Sequence, residues 1–163
     1  MAAYYASILY GALLTVGVSL AALLVSVLLG LLGAGAKLSG NRPLVALATG
    51  YTTIIRGIPE LVLMLLVFYG GSIGINHLLE LSGTGATLDI DPFTAGVLTL
   101  GFIYGAYMTE TFRGAILAIP RGQFEAAAAF GMSPVQIFLR ITTPQMVRHA
   151  VPGFTNNWLV LIK

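Results

Sequence analysis

Charged side chains are scarce in this chain of 163 residues. Only 9% of them are Asp, Glu, Lys or Arg, against about 25% in an average soluble domain, whereas 57% are apolar. Eight basic and six acidic residues are too few to cover a compact soluble domain without leaving large apolar patches. The composition therefore argues against a water-soluble fold and predicts an all-α integral membrane protein.

Cysteine is absent, and histidine occurs only twice. Disulfides, thiolate metal sites and cysteine nucleophiles are therefore excluded. His77 and His149 fall on opposite sides of the membrane in the topology derived below, so they cannot form a metal site or a Ser-His pair. No Gly-rich phosphate loop ending in Lys-Ser/Thr occurs, which excludes ATP binding of the P-loop kind. We expect no cofactor on this chain, and any energy source must lie in another subunit.

Three segments are long enough to cross a bilayer, whose core of about 30 Å needs about 20 apolar residues of helix. They are residues 10–33, 60–79 and 93–117. The apolar segment 44–55 is too short and is expected to form an interfacial or re-entrant elbow. A fourth apolar segment begins at about Pro152 and is too short to cross before the chain stops, so we expect a single, incomplete transmembrane domain over residues 1–163.

Small residues recur at helical spacing in two of these segments. Gly101 and Gly105 have the GxxxG spacing that lets two helix backbones approach closely. Gly11, Thr15 and Ser19 recur every four residues and predict a second contact face, on the first span.

The basic residues predict the orientation. Seven of the eight lie in or beside two connections, and the intervening loop 80–91 has none. The seven are Lys37, Arg42, Arg56, Arg113, Arg121, Arg140 and Arg148. The positive-inside rule places the N-terminus outside, residues 37–60 inside, residues 80–91 outside and residues 120–148 inside.

The second inside connection, residues 120–148, has the pattern of two short helices. We expect Glu125 in the first turn of the first helix, where a carboxylate suits the helix dipole, and Gly131 as its left-handed cap. Ser133 and Pro134 then supply the N-cap and first residue of the second helix. Five large apolar side chains make a solvated connector a poor interpretation and favour a docking element. They are Phe124, Phe130, Met132, Ile137 and Phe138.

This connection resembles the EAA loop of bacterial ABC importer membrane subunits, EAA(x3)G(x9)I-x-LP. The matching residues are Glu125, Ala126, Ala127, Gly131, Ile141 and Pro144, and Thr143 stands where the pattern has Leu. Residues 56–59 and 106–114 are similar to the polar amino-acid branch of that family. The chain most resembles permease subunits of histidine/lysine/arginine/ornithine transporters, as in residues 103–114 and 156–158.

The resemblance implies a type I ABC importer transmembrane helix bundle of five spans in the bacterial inner membrane. It also implies a second homologous permease subunit, two ATP-binding cassette ATPase subunits that hold ATP and Mg²⁺, and a periplasmic amino-acid-binding protein. The chain itself would not be an enzyme. The six matching residues of the EAA loop would couple it to the ATPase, and the cargo would be basic amino acids.

Four ionisable residues are candidates for the substrate path. Glu110 and Arg113 lie three residues apart on one helical face of the third predicted span, and either form a mutual ion pair or contact a ligand. Glu60 follows Pro59 and is our first candidate for binding a cationic amino acid in a midplane cavity. Alternatively, Glu60 lies at the inner water interface and pairs with Arg56.

Two other classes of function remain open from the residues alone. A stand-alone ion-coupled carrier or channel could use Glu60 and Glu110 as relays, but it has no use for a helix pair that docks an ATPase. A membrane-embedded enzyme lacks the residues for any common mechanism.

Overall fold

The protein, described from a computed structural model over residues 2–83 and 91–163, is a helical bundle. Every regular element in those residues is helical, which confirms the all-α prediction. The α-helices are α1 (Ala2–Leu38), α2 (Arg42–Gly57), α3 (Glu60–Leu65), α4 (Gly71–Leu81), α5 (Pro92–Leu117), α6 (Arg121–Ala129), α7 (Pro134–Ile137) and α8 (Thr143–Leu161). Most of the predicted loop 80–91 lies outside the described residues.

Two π-helical turns join neighbouring helices without a break. The turn Leu66–Gly70 connects α3 to α4, so that residues Glu60–Leu81 form one long helix. The turn Phe138–Thr142 connects α7 to α8 in the same way, giving a continuous helical stretch over residues 134–161.

Helices α1 and α5 lie side by side and run in the same direction. Gly17 lies beside Phe93 at the start of α5, and near the other end of both helices Lys37 pairs with Glu110. Two parallel neighbours need a return segment of opposite direction between them. The long helix Glu60–Leu81 provides it. Glu60 is bonded by Tyr104, and Met64, one turn later in this helix, lies near Leu100, about one turn earlier in α5. The two helices therefore run in opposite directions.

Gly101 and Gly105 lie where α5 approaches α1 most closely. A Cβ atom added to Gly101 would lie 2.5 Å from Cγ1 of Val25, and one added to Gly105 would lie 2.8 Å from Cβ of Leu29. Real Cβ atoms do not come so close to another carbon, so any larger residue would force the helices apart.

The contact face of α1 lies further along the helix than the predicted one. A Cβ added to Gly11 would meet no atom within 4 Å, whereas one added to Gly30 would lie 2.5 Å from Cβ of Met108. Gly33 is similarly close to Thr109. The prediction failed for Gly11 because chain spacing identifies a face of small residues but not how far the neighbouring helix extends.

Two helices in the described residues, Tyr4–Leu38 and Glu60–Leu81, are long and apolar enough to cross a membrane. Helix α5 is also long enough, at 26 residues, but it is less apolar, and eleven of its residues are buried by the helices around it. A central helix contacts protein rather than lipid on much of its surface, so it tolerates polar residues such as Thr109, which is fully buried. Its role as the third span stays a prediction.

The short helix α2 returns from the C-terminal end of α1 to the side of α5. Its 16 residues span about 24 Å. This length is too short to cross a bilayer, in agreement with the short elbow predicted from the sequence. The hydroxyl of Tyr51 donates to the carbonyl oxygen of Phe102 at 2.5 Å. The ammonium group of Lys37 donates to the hydroxyl of Thr52 at 2.6 Å.

The region after α6 differs from the two short helices and late fourth segment expected from the sequence. The second helix does not end, but continues through the π-helical turn into α8, and Pro152 lies inside α8 rather than at its start. The reason is that α8 has two faces. Met146 and Ala150 are buried with residues of α5, while Arg148 is exposed. Because the polar residues of the exposed face interrupt the apolar pattern, the sequence predicted a start for this segment that is too late.

Pro144 explains the π-helical turn just before α8. Proline has no N–H to donate to the carbonyl group four residues earlier, and its ring clashes with that carbonyl in a regular helix. The wider turn accommodates the ring. Two hydroxyls bond the carbonyl groups near the start of this turn: Thr143 Oγ1 donates to Phe138 O at 2.9 Å, and Thr142 Oγ1 donates to Ile137 O at 3.4 Å.

Candidate functional site

Glu60 lines a cleft of about 490 Å³ between α1, α3, α5 and the end of α8. Its wall includes Thr15 and Ser19 of α1, Tyr104 of α5 and Lys163. Small-molecule sites typically measure about 300–1,000 Å³ and combine apolar walls with a few polar groups. Glu60 and Lys163 are the two charged residues of this wall, so the cleft offers one group of each sign.

Glu60 lies halfway along α5. The hydroxyl of Tyr104 donates to Glu60 Oε1 at 2.5 Å, and Tyr104 is the thirteenth of the 26 residues of α5. The carboxylate is therefore about 20 Å from either end of that helix. Glu60 is also the first residue of the long helix Glu60–Leu81, so both interpretations of its depth stay predictions.

Arg56 does not neutralise Glu60. Its guanidinium carbon lies 5.5 Å above the centre of the Tyr107 ring, in a cation–π contact. Within residues 2–83 and 91–163, ion pairs join Lys37 and Arg113 to Glu110, and His77 Nδ1 lies 3.9 Å from a Glu80 oxygen. Glu60 is in none of them, and its carboxylate is left to a neutral hydroxyl donor.

Glu110, by contrast, is held by two cations. Arg113 Nε donates to Glu110 Oε2 at 3.0 Å, and the ammonium group of Lys37 binds the other oxygen, Oε1. The i,i+3 pair that the sequence offered as one interpretation is therefore present. A carboxylate whose two oxygens are both occupied by protein cations has little capacity left for a ligand, so Glu110 is the weaker of the two acidic candidates.

The sequence interpretation missed Lys37, Tyr104 and Lys163. Lys37 is 73 residues from Glu110, and Tyr104 is 44 residues from Glu60, so no local spacing links either pair. Lys163 was assigned to the end of an incomplete segment and not to a cavity. A weak sign was available for Tyr104 only, because a tyrosine inside a predicted span needs a partner for its hydroxyl.

The EAA-like segment forms helix α6, a tight turn and helix α7. Gly131 has φ of 75°, as predicted for a left-handed cap. Its N–H donates to Ala128 O at 2.9 Å, and Met132 N–H donates to Ala127 O at 3.1 Å, the paired bonds of a Schellman motif. Ser133 then caps α7 in a capping box with Gln136.

Glu125 does not lie in the first turn of α6. The helix begins at Arg121, directly after Pro120, and Glu125 is its fifth residue. The prediction erred because Pro120 in an extended conformation already allows the helix to start, without a side-chain cap. Glu125 is exposed in the second turn, so its charge is available to a partner and contributes little to stabilising the end of the helix.

The residues of the EAA pattern divide into an exposed and a packed group. Glu125, Ala126, Gly131 and Pro144 are exposed, whereas Ala127 is only 6% exposed and Ile141 is half-buried. Large apolar side chains also stand at the surface around the turn. They are Phe130, which is 90% exposed, Val135, Phe138 and Leu139.

The chain has clear relatives among known proteins. Residues 26–163 match the family described as the binding-protein-dependent transport system inner membrane component. The chain is 54% identical over 156 residues to the histidine/lysine/arginine/ornithine transport system permease protein HisQ of Escherichia coli, covering 96% of this chain and 68% of HisQ. It is 41% identical to the arginine ABC transporter permease protein ArtQ of Haemophilus influenzae, covering 93% of this chain and 66% of ArtQ.

The fold of a solved structure agrees with these relationships. A crystal structure of an amino acid ABC transporter with histidines superposes with a TM-score of 0.78 and 31% sequence identity, over 99% of this chain and 70% of that chain. The chain therefore belongs to the family of binding-protein-dependent transport system inner membrane components and is a permease subunit of an amino-acid ABC transporter.

Proposed function

We propose that this chain lines the path of basic amino acids through an ATP-driven importer in the bacterial inner membrane, with Glu60 as the residue that favours a cationic cargo. The observation that carries the proposal is the cleft lined by Glu60, whose carboxylate is in no ion pair among the described residues. An ionisable side chain in the interior of a membrane protein marks a candidate functional site. The names of HisQ and ArtQ point to the same class of cargo.

The proposal includes the rest of the machine. A second homologous permease, two ATP-binding cassette subunits with ATP and Mg²⁺, and a periplasmic amino-acid-binding protein would complete the transporter, and hydrolysis would occur on the ATPase subunits. The N-terminus would lie in the periplasm because seven basic residues belong to the opposite side. Family membership favours this assembly over a stand-alone ion-coupled carrier or channel.

The exposed turn between α6 and α7 is the proposed ATPase contact. Glu125, Ala126 and Gly131 present charge and backbone at the surface, and Phe130 adds an apolar side chain. Such exposed aromatic residues mark interaction surfaces. Ala127, Ile141 and Pro144 would act indirectly, by holding the helix pair in place.

The substrate role is tested with Glu60→Gln in the transporter assembled with its partner subunits. Loss of the charge should weaken apparent affinity for arginine and lysine at least about tenfold, because a desolvated charge pair is lost. Uptake of the neutral amino acid glutamine should not fall. Uptake is measured with labelled amino acids in proteoliposomes. The binding protein is supplied inside or outside the vesicles, according to the orientation of the transporter in the vesicle membrane.

The matched control is Glu80→Gln, which removes an exposed carboxylate near the end of α4. It should leave both affinities unchanged. An unchanged ratio of arginine to glutamine uptake in Glu60→Gln would contradict the proposed role of Glu60.

A further inference from the structure

Tyr104 occupies one of the two oxygens of Glu60. Its hydroxyl donates to Oε1 at 2.5 Å, while Oε2 has no hydrogen-bond partner among the described residues. No buried side-chain oxygen or nitrogen in that part of the chain lacks a partner. Oε2 is therefore accessible, and since Glu60 lines the cleft, this oxygen is the one that can meet a ligand there.

The position of the Tyr104 hydroxyl is determined by packing. Tyr104 is only 3% exposed and belongs to a buried cluster with Ile103 and Leu63. Its ring centre lies 5.9 Å from that of Tyr107. A side chain fixed in this way holds its hydrogen-bond partner in one orientation, as precise recognition requires.

One accessible oxygen limits how a cation can bind. A guanidinium group pairs most strongly with a carboxylate through two parallel hydrogen bonds, one to each oxygen. An ammonium group binds as a point charge and gains nothing from the second oxygen. The Tyr104 hydroxyl uses one of the two lone pairs of Oε1. A guanidinium would have to share that oxygen with Tyr104, so its two-point contact loses part of its advantage over an ammonium group.

We propose that Tyr104 is a specificity-determining positioning residue, whose hydroxyl reserves one Glu60 oxygen so that guanidinium and ammonium side chains bind the other with similar affinity. This inference rests on the proposed role of Glu60 in binding the cationic side chain. With this arrangement, a single carboxylate serves several basic amino acids, without a separate contact for each.

The test compares Tyr104→Phe with Tyr107→Phe. Removing the Tyr104 hydroxyl frees Oε1 for a two-point contact, so the ratio of arginine to lysine affinity should rise about threefold to tenfold, the effect of part of one charge-assisted hydrogen bond. Tyr107→Phe also removes a hydroxyl but keeps the ring under Arg56, and its ratio should match the wild type. The ratio is measured from KM values for arginine and lysine uptake by the assembled transporter, with kcat recorded separately.

The double variant Glu60→Gln, Tyr104→Phe separates positioning from a general structural effect. The ratio should not change when Tyr104→Phe is added to Glu60→Gln, because no carboxylate remains to be freed. A ratio that stays at the wild-type value in Tyr104→Phe, or that changes equally in the Glu60→Gln background, overturns the role of Tyr104 alone. An unchanged arginine affinity in Glu60→Gln overturns the role of Glu60 first, and with it this inference.

Discussion

At the scale of single residues, one carboxylate between two cations joins the helices at the C-terminal end of α1. Glu110 of α5 binds Lys37 at the end of α1 and Arg113 one turn further along α5. Lys37 also donates to Thr52 of α2, so one ammonium group connects three helices. The side chain of Lys37 is 11% exposed and that of Arg113 is 37% exposed, so the two bonds to Glu110 are unequal in their environment.

Replacing Lys37 should therefore destabilise the protein more than replacing Arg113. Lys37→Met removes a nearly buried charge-assisted bond and the link to α2, at a cost of about 2 kcal/mol. Arg113→Met removes a more exposed pair, of roughly 1 kcal/mol or less. Thermal unfolding of the purified transporter in detergent measures both, and an equal or reversed order would contradict this ranking.

The two acids show what local sequence can and cannot predict. Arg113 was recognised as a partner of Glu110 because both lie on one turn of one helix. Lys37 and Tyr104 were not recognised, because their contacts with Glu110 and Glu60 join helices that are far apart along the chain. Glu60 was selected because it lacks a nearby basic partner other than Arg56, and no ion pair among the described residues includes it.

At the scale of helices, the EAA-like segment leads from the short helix α6 into a long continuous helix. Helix α6 ends at the Schellman turn of Gly131, and α7 passes through the π-helical turn into α8. Asn157 of α8 then donates to Thr111 of α5 at 3.2 Å. One continuous helical stretch therefore connects the exposed turn to Leu161, which lines the Glu60 cleft. Thr143, which stands where the family pattern has Leu, donates its hydroxyl to the carbonyl oxygen of Phe138 in the π-helical turn.

Gly131 can be tested by its backbone conformation alone. A Cβ at this position would meet no atom within 4 Å, so substitution causes strain only through φ of 75°. Gly131→Val should disrupt the turn, because the left-handed conformation costs a residue with Cβ about 1–2 kcal/mol or more, and should reduce substrate-stimulated ATP hydrolysis and co-purification of the ATPase. Gly131→Asn is the control, since Asn tolerates this conformation. Equal behaviour of Val and Asn would show that the turn does not determine coupling.

At the scale of the whole molecule, lipid makes the outer helices easy to predict and the central one harder. Glu60–Leu81 and most of α1 face outward and must be apolar, so hydropathy finds them. Helix α5 is surrounded by protein on much of its surface, and its span was predicted from length alone. The Asp91 side chain caps it by accepting from Thr94 N–H at 2.9 Å. The start of α8 was misplaced because one of its faces is polar and exposed.

The direction of the helices makes a prediction about the two sides of the membrane. Since α1 and α5 are parallel, the N-terminal residues of α1 and the end of α4 lie at one end of the bundle, and α6 lies at the other. The chain has no cysteine, so single cysteines can report each end. We expect Ala6→Cys and Ser82→Cys to react with a membrane-impermeant maleimide in intact spheroplasts, and Gln123→Cys to react only after the membrane is permeabilised. All three positions are exposed.

Labelling of Gln123→Cys in intact spheroplasts, with Ala6→Cys protected, would reverse the orientation but keep the parallel arrangement. Opposite accessibility of Ala6→Cys and Ser82→Cys would instead contradict the arrangement itself, because both ends could not then lie on the same side.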